Sequence, residues 1–577
     1  MVRRVLPALA CLLLATGALA QVPEAAALRA RLRSGDADTQ RMALLEIGRL
    51  ERPSLIPFIV PSLRSPLPEI RAQAADAIGQ AARGWLSTPP ARRDPAPLAS
   101  AVELLIARLK VEAEPTVRAA IAETIGRLPY ATSGQVATAA AALVQAASAD
   151  TVSDRLGSAK GLEALVRLNR PFALPTADAV VMKLRSFVAS DASRDARVRR
   201  LSLAALVTVD AVDDMTVARA AGDPDAQVRR LAMHAAALAL STLSTLSSKA
   251  AREALIKGLA DEAAMVRLEA IEAIEAIGAI GALAGTDGNS MCQAARAATG
   301  DRDVHVALLA FDELAWCMEE ADVVLLEQTV NDLSEAGTPR GWHKAAHALV
   351  ALVTVAPDRG RAALPQFVGS KNWPLRMYAA RAAASLKDRA TLERLAGDEN
   401  ESVKEVAIEG LRAFGVRPDA SKPRRRAPAT LDLSADDIRG LSSLHARVVV
   451  RYVGTFEMAL LAPEAPDVVA RVVSLARSGY FDGLVIRRVL PNLAVEAGAG
   501  TAELGGGAPL AREEVGLWPH VRGSVGINGE STFFIDLVDN PQFDHQYTVF
   551  AQLLSGMDVV DKLLEGDVIE RVDIVKP

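Results

Sequence analysis

One helical phrase, repeated from about Ala25 to Gly415, constrains this chain more than any other feature. The phrase is an apolar residue, a basic one, then small residues three apart, often closed by glycine. PEIRAQAADAIG (Pro68–Gly79) and PTVRAAIAETIG (Pro115–Gly126) match position for position. It recurs as ARVRRLSLAAL (Ala196–Leu206), AQVRRLAMHAAAL (Ala226–Leu238) and AMVRLEAIEAI (Ala264–Ile274). Weaker copies are DVHVALLAFDEL (Asp303–Leu314), PLRMYAARAAASL (Pro374–Leu386) and ESVKEVAIEGL (Glu401–Leu411). Most neighbours lie about 30 to 47 residues apart, or twice that, the period of a two-helix solenoid unit. The small residues fall at helical i, i+3, i+4 spacing, so one stripe packs closely on the next unit. Asp or Pro ahead of each copy supplies helix-start chemistry. An array of this kind presents a long curved surface rather than a pocket, which suits protein partners. The arginines of the repeated Val-Arg step are expected to bridge to neighbouring acids across a solvated ridge.

His343 and His347 share a helix face at i, i+4, a spacing two metal ligands can use. Lys344 stands where an H-E-x-x-H site has glutamate, and no third ligand is apparent, so a packed or exposed helical pair is expected. The chain implies neither a metal nor a cofactor.

The first twenty residues read as a signal for export. Arg3 and Arg4 give a positive start, Val5 to Ala15 an apolar stretch, and Ala18-Leu19-Ala20 a cleavage site before Gln21. The apolar stretch is short for a membrane span, and Cys11 lies inside it with too little apolar sequence ahead for a lipoprotein signal. The expected destination is the periplasm or the exterior, with no stable membrane span after cleavage. Beyond Cys11 only Cys292 and Cys317 remain. They could pair in an oxidising compartment, but two buried helical thiols are expected. Half the residues are hydrophobic and only 4% aromatic, because alanine dominates, as closely packed helices require. A net charge of −5 gives no electrostatic reason to expect nucleic acid or an anionic membrane as partner.

The helical period stops at Gly415. Residues 416–444 begin as a Pro- and Arg-rich stretch, VRPDASKPRRRAPAT, read as an extended linker, with a short helix expected within Leu431 to Leu444. From His445 the period is that of strands. ARVVVRYVGTFEMALL alternates around a turn at Gly454, and a helix follows with Val468, Val469, Val472, Val473 and Leu475 on one face. VRGSVGIN, STFFIDLV, YTVFAQLL and ERVDIVK are further strands, which gives a β-rich barrel over 445–577. In YFDGLVIRRVLPNLAVEAG (Tyr480–Gly498) two arginines sit on one strand, so one is expected to face a core or groove and the other solvent.

Two resemblances give these patterns names. The repeat, over 21–415, is similar to HEAT repeats. The Tyr480–Gly498 stretch resembles the FHRV-x-P-x-F-x-x-Q-G-G segment of cyclophilin-type peptidyl-prolyl isomerases. GSVGIN, STFFID and FDHQYTVFAQLLSGMDVVDKL follow in that family's order. The architecture implied is an all-α HEAT-type helical solenoid followed by a cyclophilin-like closed β-barrel with flanking helices.

The resemblance implies catalysis of rotation about the peptide bond before proline, a barrier of about 18–20 kcal/mol, with proline-containing polypeptides as substrates. Arg488 matches the family's catalytic arginine, Phe534 the floor of the proline pocket, and Phe543 an apolar wall. Leu493 stands for a usual Phe and Tyr547 for a common His. Ile486, Ile527, Glu496 and Thr532 complete the expected pocket. The departures bear on activity. Ile486-Arg487 replaces Phe-His, Glu496 and Thr532 each replace Gln, Ala497-Gly498-Ala499 replaces Gly-Gly-Asp, and the loop between Asn528 and Ser531 is short. Glu496 is expected to clamp Arg488 in a bidentate pair. Two readings stand: an exported isomerase whose array captures or docks clients, and a catalytically weak or inactive cyclophilin-like binding module on a HEAT scaffold.

Overall fold

The computed structural model describes residues 27–89, 93–148, 151–169, 177–189, 195–241, 248–278, 287–317, 319–333, 338–416, 431, 433–498, 514–528 and 532–577. Residues 1–20, expected as an export signal, the Arg424–Arg426 run and residues 529–531, expected as a short loop, lie outside them. The chain divides into two compact units, Met1–Ala211 and Val212–Pro577, so the later helices belong with the strand-rich domain rather than with the earlier helices.

Every copy of the repeated phrase forms a helix, among them Pro68–Ser87, Pro115–Arg127, Ala196–Thr208, Ala226–Ser241, Ala264–Gly278, Trp373–Ser385 and Glu401–Arg412. Several begin at Pro or behind an Asp or Asn cap, as with Asp195 accepting from the Arg197 N–H. The small-residue stripe does what its spacing implies. A Cβ added to Gly126 would lie 2.0 Å from the Gly161 carbonyl oxygen, so these two helices meet backbone to backbone.

The repeated arginines differ from expectation: they are buried, not spread over a solvated ridge. Arg71, Arg229, Arg267 and Arg376 are each less than one-tenth exposed. These four and the half-buried Arg118 each form a fork with an acid further along the chain: Arg71 with Glu112, Arg118 with Asp154, Arg229 with Asp261, Arg267 with Asp301 and Arg376 with Asp398. The remaining donor of each caps two carbonyls of the turn ahead of its own helix, as when Arg267 Nη1 reaches the Asp261 and Glu262 oxygens. One residue type thus ties its helix to the preceding turn and to the next unit. At Glu112 burial pushes the carboxyl up, but Arg71, the Glu114 N–H and Arg108 outweigh it and hold it at about 2.

Cys292 and Cys317, expected as free thiols, are joined in a disulfide with Cα atoms 5.5 Å apart. The helical positions bring them within bonding distance, which their spacing alone does not reveal. His343 is buried and stacked on Trp342, and His347 lies 2.9 Å from Asp312 and 3.0 Å from the Tyr378 hydroxyl. No helix among the described residues is long and apolar enough to cross a membrane.

A short helix, Ala435–Ser442, opens on a Ser434–Asp437 capping box and leads into the strands. Among the described residues eight strands form one antiparallel sheet: β1 His445–Val450, β2 Gly454–Leu460, β3 Ile486–Leu490, β4 Ala494–Gly498, β5 Ser524–Asn528, β6 Thr532–Asp536, β7 Val549–Ser555 and β8 Ile569–Val575. Their order across the sheet is β3-β4-β6-β5-β7-β2-β1-β8. The two end strands meet. Val485 bridges Val568, and backbone bonds of 2.8 Å run from Ile486 N–H to the Asp567 oxygen and from Gly566 N–H to the Ile486 oxygen. The sheet therefore closes on itself around Val448, Phe456, Phe533, Ile535 and Phe550, and the Pro466–Arg477 helix adds Val468, Val469, Val472 and Val473 to this core.

Helices of the second unit bond directly to this barrel. Arg340 reaches Asp567 at 3.1 Å, and Arg381 and Tyr378 hold Glu565 at 2.7 and 3.0 Å. Opposite β3, Arg487 pairs with Glu405 at 2.7 Å.

Candidate active site

Two adjacent rows of residues cross strands β3, β4, β6 and β5, and they face opposite ways. The first is Ile486, Ala497, Phe533 and Ile527, directed into the barrel core. The second is Arg488, Glu496, Phe534 and Gly526, on the other face. Opposed residues on paired strands share a face, so the register alone assigns each side chain to its side. Arg488, Glu496 and Phe534 therefore lie side by side as the sequence implies. Ile486 and Ile527, expected in the pocket, lie in the barrel core instead.

A β-bulge lies behind this. Ile486 pairs with Ala497 and Arg488 with Glu496, so β3 carries an extra residue, Arg487, that β4 does not match. The extra residue breaks the alternation and turns Arg487 toward Glu405 of the helices, not to solvent. Arg488 is exposed. The expected clamp by Glu496 is not formed: the two are cross-strand neighbours without an ion pair among the described residues. The Arg488 guanidinium thus keeps its donors for a ligand.

Beside Arg488 is an aromatic nest. Phe534, Phe543 and Tyr547 meet edge to face, with ring centroids 5.3 to 5.7 Å apart. Phe543 ends a short turn of helix, Pro541–Phe543, and with Tyr547 is half-buried, so both offer surface. Leu493, also half-buried, sits in the β3–β4 turn, and its carbonyl accepts from the Leu537 N–H and the Asn540 side chain, both at 3.0 Å. Thr532 pairs with Gly498 and Asn528 in the sheet and shares the Phe534 face.

The floor has a second layer that the sequence reading missed. His520 is fully buried and stacks on Phe534 at 5.5 Å and 15°. Its Nδ1 lies 2.9 Å from Asp536, which also accepts from Asn540 at 2.7 Å. Burial pushes the Asp536 carboxyl up, with His520 and Asn540 pulling the other way. His520 comes from a stretch without strand or helix period, and a lone Trp-Pro-His carries no motif, so no sequence signal marks it.

An exposed guanidinium on the same sheet face as half-buried aromatic rings can take an apolar ring and place a donor against it. A bond rotation needs no nucleophile. Residues 446–577 match the cyclophilin type peptidyl-prolyl cis-trans isomerase family, and residues 25–93 match HEAT repeats. A peptidyl-prolyl cis-trans isomerase of Helicobacter pylori is 35% identical over 131 residues, 21% of this chain and 80% of that protein. A probable peptidyl-prolyl cis-trans isomerase of Brucella abortus is 32% identical over 133 residues, covering 20% of this chain and 68% of that protein. A crystal structure of a Cryptosporidium parvum cyclophilin type isomerase aligns at 18% identity and a TM-score of 0.21, over 23% of this chain and 98% of that one. Through its C-terminal barrel, the chain belongs to the cyclophilin-type peptidyl-prolyl cis-trans isomerase family.

Proposed function

We propose that this protein is an exported isomerase that speeds rotation about peptidyl-prolyl bonds in client proteins held by its helical array. The observation that carries the reading is the row Arg488–Glu496–Phe534, with Phe543 and Tyr547 around the ring of Phe534. The proline ring occupies the aromatic nest. Arg488 donates to the prolyl nitrogen, whose lone pair is free only when the amide is twisted, so the bond strengthens in the transition state and not in the planar ground states. A guanidinium suits this because it stays charged and its donors are rigidly set. The Cys292–Cys317 disulfide supports an oxidising destination. Docking of a client on the array raises the local concentration of its prolines at the barrel.

The test is NMR exchange between cis and trans forms of an Ala-Pro peptide in the presence of the full chain. Exchange that accelerates in proportion to protein is expected. A peptide that binds without exchanging faster would leave a non-catalytic binding module.

A further inference from the structure

The helices of the second unit touch the barrel at the segments that build the proline groove. Arg487, the bulged residue next to Arg488, pairs with Glu405 at 2.7 Å. Asn492, in the turn just before Leu493, donates to the Met265 carbonyl and to Glu269, both at 3.0 Å. Asp539, in the loop leading to Phe543, is held twice by Gln227: its N–H donates to the amide oxygen at 2.7 Å, and its carboxylate accepts from the amide nitrogen at 3.2 Å. These contacts reach β3, the β3–β4 turn and the β6–β7 loop, which carry Arg488, Leu493 and Phe543.

We infer that Glu405, Glu269 and Gln227 of the array are positioning residues for the isomerase groove, acting through Arg487, Asn492 and Asp539. The inference rests on the isomerase reading above. Glu269 is the best built of the three. It is buried, with Arg230 at 3.0 Å and His234 at 3.1 Å. The hydrogen bond from His234 and the charge of Arg230 hold its carboxyl below the usual range against the cost of burial, so it is a fixed acceptor for Asn492. Asn492 has φ +57°, a left-handed backbone that Asn tolerates, and its side-chain amide oxygen, Oδ1, has no hydrogen-bond partner among the described residues. Next to Asp539, Asn540 ties the Leu493 carbonyl to Asp536, so the second and third contacts converge on one pocket wall. A barrel held only at Glu565 and Asp567 would still be attached to the array. The contacts at Arg487, Asn492 and Asp539 add restraint on the groove itself.

The test uses the full chain, peptide exchange by NMR, and deuterium uptake of a fragment spanning 488–497. Asn492→Gly keeps the left-handed turn and deletes the contact to Glu269. It should lower the exchange rate at saturating peptide by about tenfold, leave peptide affinity nearly unchanged and speed uptake in the fragment. Asn492→Asp, which sets two carboxylates against each other, should lose at least as much. Adding Glu269→Gln, which supplies an amide donor across the same contact, should recover most of that loss. Unchanged rate and uptake in Asn492→Gly would overturn the inference, as would an Asn492→Asp loss that Glu269→Gln does not relieve. If the wild-type chain gives no exchange, the isomerase reading fails by itself. Uptake then decides: faster in Asn492→Gly sustains the clamp, and unchanged uptake ends it.

Discussion

Gly526 lies directly under the ring of Phe534: a Cβ placed on Gly526 would sit 2.5 Å from Phe534 Cζ and 3.0 Å from His520 Cε1. The pocket floor is a layered stack, and the absent side chain on β5 makes room for it. Gly526→Ala should displace the ring, costing about 1–3 kcal/mol of stability as overpacked cores do, and should weaken peptide binding. Denaturant unfolding with a peptide titration checks both; a variant with native affinity would show that the ring's position does not define the pocket.

His520→Ala attacks the same stack from the other side. It removes the ring beneath Phe534 and leaves Asp536 buried without one of its hydrogen-bond partners. Orphaning a buried polar group costs about 1–3 kcal/mol, beyond the cavity left by the ring, so a clear fall in thermal midpoint is expected. His520→Ala with Asp536→Asn should be more stable than His520→Ala alone, since the amide removes the buried charge.

The departures at Glu496 and Thr532 give a prediction about rate. Glu496 stands beside Arg488 without holding it, so the arginine has lost its orienting neighbour. Glu496→Gln with Thr532→Gln should raise kcat/KM by about tenfold, the scale of one well-placed hydrogen bond. The same pair in an Arg488→Ala background should give no gain. A gain there would mean that the substitutions act by binding alone.

These site predictions show how much was legible beforehand. Arg488, Phe534, Phe543 and Tyr547 sit in local motifs whose order along the chain carries the register. Ile486 and Ile527 were misplaced because facing depends on parity across strands: Ile527 opposes Phe533 rather than Phe534, and the bulge at Arg487 shifts the count by one. The helical array was legible from its period. The burial of its arginines was not, because each acid partner lies 41, 36, 32, 34 or 22 residues ahead, with no fixed interval to read. His520 and the contacts of Asn492 and Asp539 depend wholly on tertiary placement.

Acid should weaken the first unit through Glu112. Its folded carboxyl sits at about 2, against an ordinary value of 4.5, so the unfolded chain takes up the proton first as pH falls. The stabilisation is fully present above pH 4.5 and is lost as pH drops toward about 2. Thermal melts across that window should fall more steeply for the wild type than for Glu112→Gln, which is already less stable at neutral pH. Parallel slopes would contradict the buried fork with Arg71.

Reduction should weaken the second unit. A bond closing a loop 25 residues apart restrains the unfolded chain by about 3–4 kcal/mol. A lower thermal midpoint in reductant, absent in Cys292→Ser/Cys317→Ser, is expected. Mass spectrometry of the unreduced protein should find the two half-cystines in one cross-linked fragment.

The most direct test of the account is peptidyl-prolyl exchange by the full chain beside Arg488→Ala, followed by NMR on an Ala-Pro peptide so that no coupling protease intervenes. The account predicts acceleration by the wild type and a loss of about 10²–10³-fold in Arg488→Ala, with the peptide still bound in the aromatic nest. Equal acceleration by both proteins would contradict it, because the donor to the prolyl nitrogen would then have to be a residue other than Arg488.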